Sequence, residues 1–444
     1  MKRWFQDGLL RSVLRNAGYL LSGKLAGAVL GLVALSCAGH GLTPALFGTL
    51  MIVHTYANGA GALVKFQTWQ FIIRFGAPAL ARGERDVARD TIRFAFGLDI
   101  ASGLLGMVAA MAILPFLAGW LELPPEDFRL ALFYCTLVPT MTAATPVGVL
   151  RLLDRFDLIG WQQTVTPTLR AAVAAASYFA GWGFPGFVAA WYLADLSGDL
   201  VTWALAAREL RRRDLADAFR PGLFGTARRL PGAWGFVWTT NLAHSVYGAW
   251  GSVSNLVVAG VLGPVAAGLF KISTTLLDSS AKPADMLSRG FYPEIMRLDP
   301  ASRQPWRLGL RVSLLSAAMG AALAIVVQLA GAPVIGFVFG QKYLAAFGLL
   351  QIMTWALVIS TAAFPLESLL YMADRQRAAL VAQLSATVLY LALLFVLTHR
   401  FGLAGAGYAF LLGTLLNAGL MLLPTLGSYR HRASLHRPVQ PVTA

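Results

Sequence analysis

The side chains with chemistry to offer lie inside long apolar runs of the chain. The second run carries His54, Asn58, Gly61 and Lys65 at spacings that share one helical face. The eighth carries Lys271, Thr274, Asp278 and Lys282 on one face, and the seventh a stripe of Asn241, His244, Gly248, Ser252 and Asn255. A charge at membrane depth costs on the order of 3 kcal/mol, so these groups must face other helices or water and not lipid. As a set the stripes predict a wet central cavity of cationic character, suited to an anionic group. The other reading is interhelical hydrogen bonding with small-residue packing, common in membrane bundles. Lys24 stands beside Gly23, Gly27 and Gly31 in the first run and either enters the cavity or snorkels to the headgroups. Asp195 and Asp199, four apart in the sixth run, form a carboxylate pair that either carries a coupling proton or sodium ion or bonds a neighbouring helix. Asp99 and Glu367 are single intramembrane acids with the same two readings.

Enzyme chemistry is not expected. The six His residues are scattered without metal-ligand spacing. No G-x-x-x-x-G-K-[ST] phosphate loop occurs, and the connections on one side of the chain are too short for an external catalytic domain. No cofactor is implied, and no metal site.

These residues need membrane helices to position them. Hydrophobic residues make up 57% of the 444 and charged residues 13%, with a mean hydropathy of +0.63. A soluble chain of this length would need more charge to cover its surface. A hydrocarbon core of about 30 Å asks for about 20 apolar residues per helix. About twelve such runs are legible, near 17–38, 45–65, 91–118, 130–150, 164–182, 184–206, 236–260, 264–285, 308–330, 345–366, 378–398 and 403–424. They are continuous, without the in/out alternation of a membrane barrel. Of the 36 Lys and Arg, only Arg129, Lys342 and Arg400 fall in odd-numbered connections, which predicts both termini inside an inner (cytoplasmic) membrane. The net charge of +15 is therefore a topology signal, with contacts to anionic lipid, and not a nucleic-acid signal. Cys37 and Cys135 fall in or near spans and imply no disulfide framework. The basic N-terminus followed by an apolar run is read as a retained helix, not a cleaved leader.

The chain also repeats itself at an offset of about 220 residues. Leu42-Thr-Pro44-Ala-Leu-Phe-Gly48 answers Leu262-Gly-Pro264-Val-Ala-Ala-Gly268, and Pro146 answers Pro365. Asp154-Arg155 answers Asp374-Arg375, and Gly183-Phe-Pro-Gly186 answers Gly402-Leu-Ala-Gly405. Six spans per half make the halves parallel, related by an axis along the membrane normal. The expectation is an all-α polytopic membrane protein with two six-helix lobes, 1–207 and 236–444, around a central cavity. A basic cytoplasmic linker, 208–235, joins them.

The segments Arg15-Asn-Ala-Gly-Tyr-Leu-Leu-Ser-Gly-Lys24 and Leu42 to Gly48 resemble the first two helices of Wzx-type flippases, a polysaccharide-biosynthesis family. Phe66-Gln-Thr-Trp-Gln-Phe-Ile-Ile-Arg-Phe-Gly76, Val338-Phe-Gly-Gln-Lys-Tyr343 and Phe401-Gly-Leu-Ala-Gly-Ala-Gly407 resemble later stretches of the same family. That family belongs to the multidrug/oligosaccharidyl-lipid/polysaccharide (MOP) exporter superfamily. The resemblance implies alternating access without an ATP site, and flipping of an undecaprenyl-pyrophosphate-linked oligosaccharide for surface polysaccharide or lipopolysaccharide assembly. It implies polymerase or glycosyltransferase machinery as partners, and leaves H+ or Na+ coupling open. The alternatives are a MATE-like (multidrug and toxin extrusion) cation-coupled drug antiporter and a membrane-embedded polysaccharide polymerase or ligase.

Overall fold

In the computed structural model the backbone is described for residues 26–141, 144–296 and 298–434, without the side chains of 142–143, 224, 239, 242–250, 283–286, 288–290, 293 and 434. The described residues are helical and hold no strand. Twelve long helices stand where the sequence places twelve runs. They are α1 (Ala26–Gly41), α2 (Pro44–Val64), α3 (Arg85–Ala118), α4 (Pro125–Leu152), α5 (Phe156–Phe179) and α6 (Gly183–Arg212). There follow α7 (233–262), α8 (264–296), α9 (Gln304–Val338), α10 (Ala345–Met372), α11 (376–401) and α12 (403–430).

Six stretches are long and apolar enough to cross a bilayer: Arg85–Ala118, Pro125–Leu152, Gly251–Lys282, Gln304–Val338, Ala345–Met372 and Gln376–Arg430. The last has 55 residues, roughly 80 Å of helix against a core of about 30 Å, so it must turn back. It does so at Gly402, whose φ of 59° and ψ of −142° no side-chain-bearing residue adopts without strain. Gly263, at φ 81° and ψ 179°, separates α7 from α8 in the same way. Large apolar side chains stay on the outside, with Phe116 86% and Phe337 85% exposed, as a hydrocarbon solvent asks.

The sequence repeat has a backbone basis. Asp154 and Asp374 both sit at positive φ, 56° and 57°. Each follows a helix closed by the same pair of bonds: Arg155 N to Leu150 O and Arg375 N to Leu370 O, both 2.8 Å, with Asp154 N to Arg151 O and Asp374 N to Tyr371 O inside them. This is a Schellman-type ending, and aspartate is among the few residues that tolerate its left-handed turn. Gly183 has φ 62°, matching Gly402. Thr43, which corresponds to Gly263, is extended and caps α2 through its hydroxyl, 3.3 Å from Leu46 N.

The chain divides into two compact units, Met1–Leu256 and Val257–Ala444, with the boundary inside α7. In the first unit a core of Phe71, Ile72, Phe94, Val149, Leu150 and Leu210 joins α3, α4 and α6 to the short helical turns of 68–81. The segment after α6 packs on that core through Leu215, Ala218 and Leu230. Arg155 pairs with Glu209 at 2.6 Å and with Asp157, Arg229 with Asp90 at 3.0 Å, and Arg93 bonds Asp217 O at 3.1 Å. The α2–α3, α4–α5 and α6–α7 connections therefore meet at one end of the unit. There the Arg155 guanidinium holds the Asp157 carboxyl below its ordinary range by hydrogen bonding.

A buried charge network in the first unit

Four helices of the first unit bring ionisable groups together at membrane depth. Asp195 on α6 is the hub. One of its oxygens pairs with the Arg170 guanidinium of α5. The other accepts from Tyr134 Oη of α4 at 3.1 Å and lies 3.5 Å from His54 Nδ1 of α2. His54 Nδ1 is 2.9 Å from Tyr134 Oη, and its ring meets the tyrosine edge-on. Asn58 donates to the His54 carbonyl at 2.8 Å, with the ring nitrogens 3.1 and 3.2 Å away. The Arg170 guanidinium also rests over Trp191, 5.3 Å from the ring centroid. Such a network is stable only if each member keeps its partners, because one buried charge left alone costs several kcal/mol.

Asp199, one turn further along α6, is different. It lies beside Thr140 and within electrostatic reach of Lys65 and Asp195. Its Oδ2 is buried without a hydrogen-bond partner among the described residues. Lys65 itself ends α2 and donates to Met141 O at 3.1 Å. Gly198 lets α5 come close, since a Cβ there would collide with Thr166, and its carbonyl accepts from Gln162 at 2.9 Å and from Thr202 at 2.8 Å.

Asp99 stands apart from this network. It is fully buried on α3 and accepts from Thr68 Oγ1 at 2.9 Å, Ala144 N at 2.8 Å and Thr145 N at 2.7 Å. It thus caps the second part of α4, Thr145–Leu152, whose own Ala144 has no side chain to do so.

The remaining candidates are dispersed. Asn241 is buried on α7, and Asn255, also buried, donates to Thr55 at 3.4 Å. In the second unit Lys271 and Lys282 on α8 are half-buried, Asp278 is exposed, and Thr274 bonds back to Lys271 O at 3.1 Å. Glu367 on α10 accepts from Tyr371 at 2.7 Å. Lys24 and the His244 side chain lie outside the described residues. Arg170 and Tyr134 are the members of this network that sequence reasoning misses, although an arginine in the middle of the fifth run is a visible signal. No cluster of His, Cys, Asp and Glu among the described residues has the make-up of a metal site.

Twelve helices among the described residues, with six stretches apolar enough to cross a bilayer and ion pairs inside the first unit, define a polytopic membrane protein. Over 95% of both chains its fold matches an inward-facing multidrug resistance MATE family transporter of the MOP superfamily, with a TM-score of 0.67 and 15% identity. An outward-facing transporter so described matches at 0.62 and 14% over 96% of both chains, and Vibrio cholerae VcmN at 0.60 and 16% over 95% of this chain and 97% of its own. No family model matches the sequence. The chain is 48% identical to Escherichia coli (strain K12) inner membrane protein YghQ over 350 residues, 79% of this chain and 99% of that protein. It belongs to the YghQ family of multi-pass inner-membrane proteins.

Proposed function

We propose that this protein is a cation-coupled exporter of the MOP superfamily working by alternating access. The observation that carries this reading is the unpartnered, buried Oδ2 of Asp199 one turn from the saturated Asp195. Arg170 neutralises Asp195, while Asp199, beside Thr140, keeps one oxygen that accepts no hydrogen bond among the described residues. A desolvated carboxylate oxygen in that situation takes a proton or a metal cation. The fold supplies the rest, since its neighbours are transporters with inward- and outward-facing forms.

The substrate class follows from the sequence resemblance to Wzx-type flippases: a lipid-linked oligosaccharide carried on undecaprenyl pyrophosphate. A pyrophosphate headgroup cannot cross hydrocarbon unaided, and its outward movement is favoured by an inside-negative potential of about 2.3 kcal/mol per charge per 100 mV. Lys271 and Lys282 of α8 are the described cations suited to its sugar-phosphate head. The second reading, a MATE-like antiporter of cationic drugs, is favoured by the multidrug transporters that share the fold, and would use Asp195, Asp199 and Asp278.

Proteoliposomes test both. A fluorescent lipid-linked oligosaccharide should become accessible in the far leaflet under an imposed proton or sodium gradient, and Asp199→Asn should abolish the dependence on the gradient. Lys271→Ala with Lys282→Ala should slow flipping with insertion intact. Gradient-driven efflux of a cationic dye, with no movement of the lipid-linked sugar, would replace the first reading by the second.

A further inference from the structure

The second unit holds a cavity of about 770 Å³ between α9, α10 and α12. Small residues open it: Ala362 on α10, and Ala418 and Gly419 on α12, where an added Cβ would meet nothing within 4 Å. Its rim is apolar and faces outward, with Leu310 62% and Leu426 45% exposed. The cavity is thus a groove open sideways toward hydrocarbon.

One end of it is different. Arg307, an exposed residue, is part of the lining there, with Trp306 and Tyr429. Trp306 is buried, donates to Pro300 O at 3.0 Å and meets Tyr429 edge-on at 5.6 Å. Tyr429 in turn carries the Arg432 guanidinium, 4.8 Å from its ring centroid. Arg303 and Arg311 lie one helical turn to either side of Arg307. The same end holds the start of α9, where Gln304 N donates to Ser302 Oγ at 3.3 Å and the helix dipole adds positive potential.

These arginines lack the acids that the first unit provides. There Arg82, Arg89, Arg155 and Arg229 pair with Glu84, Asp86, Asp157 and Asp90. Between Asp299 and Glu367, and after Asp374, the sequence has no acidic residue. None of Arg303, Arg307 and Arg311 forms an ion pair among the described residues. An apolar slot open to lipid, ending at uncompensated guanidinium groups and an aromatic pair, has the chemistry of one molecule: an anionic lipid with its chain in the slot and its phosphate at the arginine.

We propose that this groove is a binding site for an anionic phospholipid of the surrounding bilayer, seated with one acyl chain along α12 and its phosphate on Arg307. The site is independent of the transported substrate and of the charge network in the first unit. It makes the second unit responsive to membrane composition.

Native mass spectrometry of the full chain in detergent, with phosphatidylglycerol or phosphatidylcholine of identical chains added, tests this. The wild-type protein should retain one phosphatidylglycerol in preference to phosphatidylcholine. Arg307→Ala should lower phosphatidylglycerol affinity about fivefold, the factor that corresponds to about 1 kcal/mol per basic residue at a lipid surface. The charge is exposed, so this variant should keep the wild-type melting temperature in lipid-free detergent. Gly419→Leu leaves every arginine in place and fills the groove, and should weaken both lipids alike. Equal retention of the two lipids by the wild type would overturn the proposal. So would an undiminished phosphatidylglycerol preference in Arg307→Ala, or unchanged lipid binding in a folded Gly419→Leu. Recovery of a polyprenyl lipid from the wild-type groove in place of phospholipid would overturn the assignment of the occupant.

Discussion

Asp99 permits a separation of structural from transport roles that the sequence alone leaves merged. Its Oδ2 receives two backbone amides, Ala144 N and Thr145 N, and its Oδ1 receives the Thr68 hydroxyl. Asp99→Leu strips all three donors of their acceptor. The hydroxyl can turn elsewhere, but the two amides at the broken start of a helix cannot. At about 1–3 kcal/mol for each orphaned buried donor, the loss is roughly 2–6 kcal/mol. Asp99→Asn is a different perturbation. The amide oxygen can take the two backbone donors while the new NH2 donates to Thr68 Oγ1, which already accepts from Thr145 at 3.3 Å and has a second lone pair. Only charge assistance is lost, at about 1 kcal/mol. A trans cap thus predicts that Asn is mild and Leu severe, for stability and for transport together. A coupling carboxylate predicts that Asn and Leu are equally inactive, with Asn still stable. Melting temperature in detergent, read by a thiol-reactive dye that reaches buried Cys135 only on unfolding, gives the stability arm. Flipping or efflux in proteoliposomes gives the other. An Asp99→Asn protein that melts like wild type and transports nothing would refute the capping argument.

The ion pair at the hub makes a similar test. Arg170→Met leaves Asp195 buried without its cation and should destabilise by about 3–5 kcal/mol, whereas Arg170→Met with Asp195→Leu should recover most of that in the same melting assay. The matched turns at Asp154 and Asp374 should respond alike: alanine costs about 1–2 kcal/mol at each left-handed position, and glycine costs little or stabilises. Unequal signs at the two positions in thermal unfolding would break the structural equivalence of the two turns.

The parts of the fold that are legible in sequence are those written in local pattern. Twelve apolar runs give twelve helices because no other secondary structure satisfies its backbone in lipid. Two of the four landmark pairs mark backbone states, at Asp154 and Asp374 and at Gly183 and Gly402, that few residues adopt. The helix start at Thr145 leaves no such mark, since the apolar run 130–150 continues through it. The charge network is illegible for another reason. His54 and Asn58 share a face, as the spacing says, but Tyr134 lies 80 residues from His54 and 61 from Asp195, and no periodicity connects them. Asp195 and Asp199 read as a matched pair, and only the partners around them distinguish a saturated carboxylate from an unsatisfied one. Asp99 reads like both of them, and its role as a cap exists only in three dimensions.

The breaks at Gly263 and Gly402 have a consequence for how the protein meets its surroundings. Where α7 turns into α8 and α11 into α12, the connection is one residue long, and α1 reaches α2 across Leu42 and Thr43 alone. In the first unit the start of α2 therefore offers almost no polypeptide to hold, while the arginine-rich segments between α2 and α3, α4 and α5, and α6 and α7 gather at the opposite end. Epitope tags or crosslinkers aimed at these one- and two-residue turns have nothing to grip without cutting into a helix.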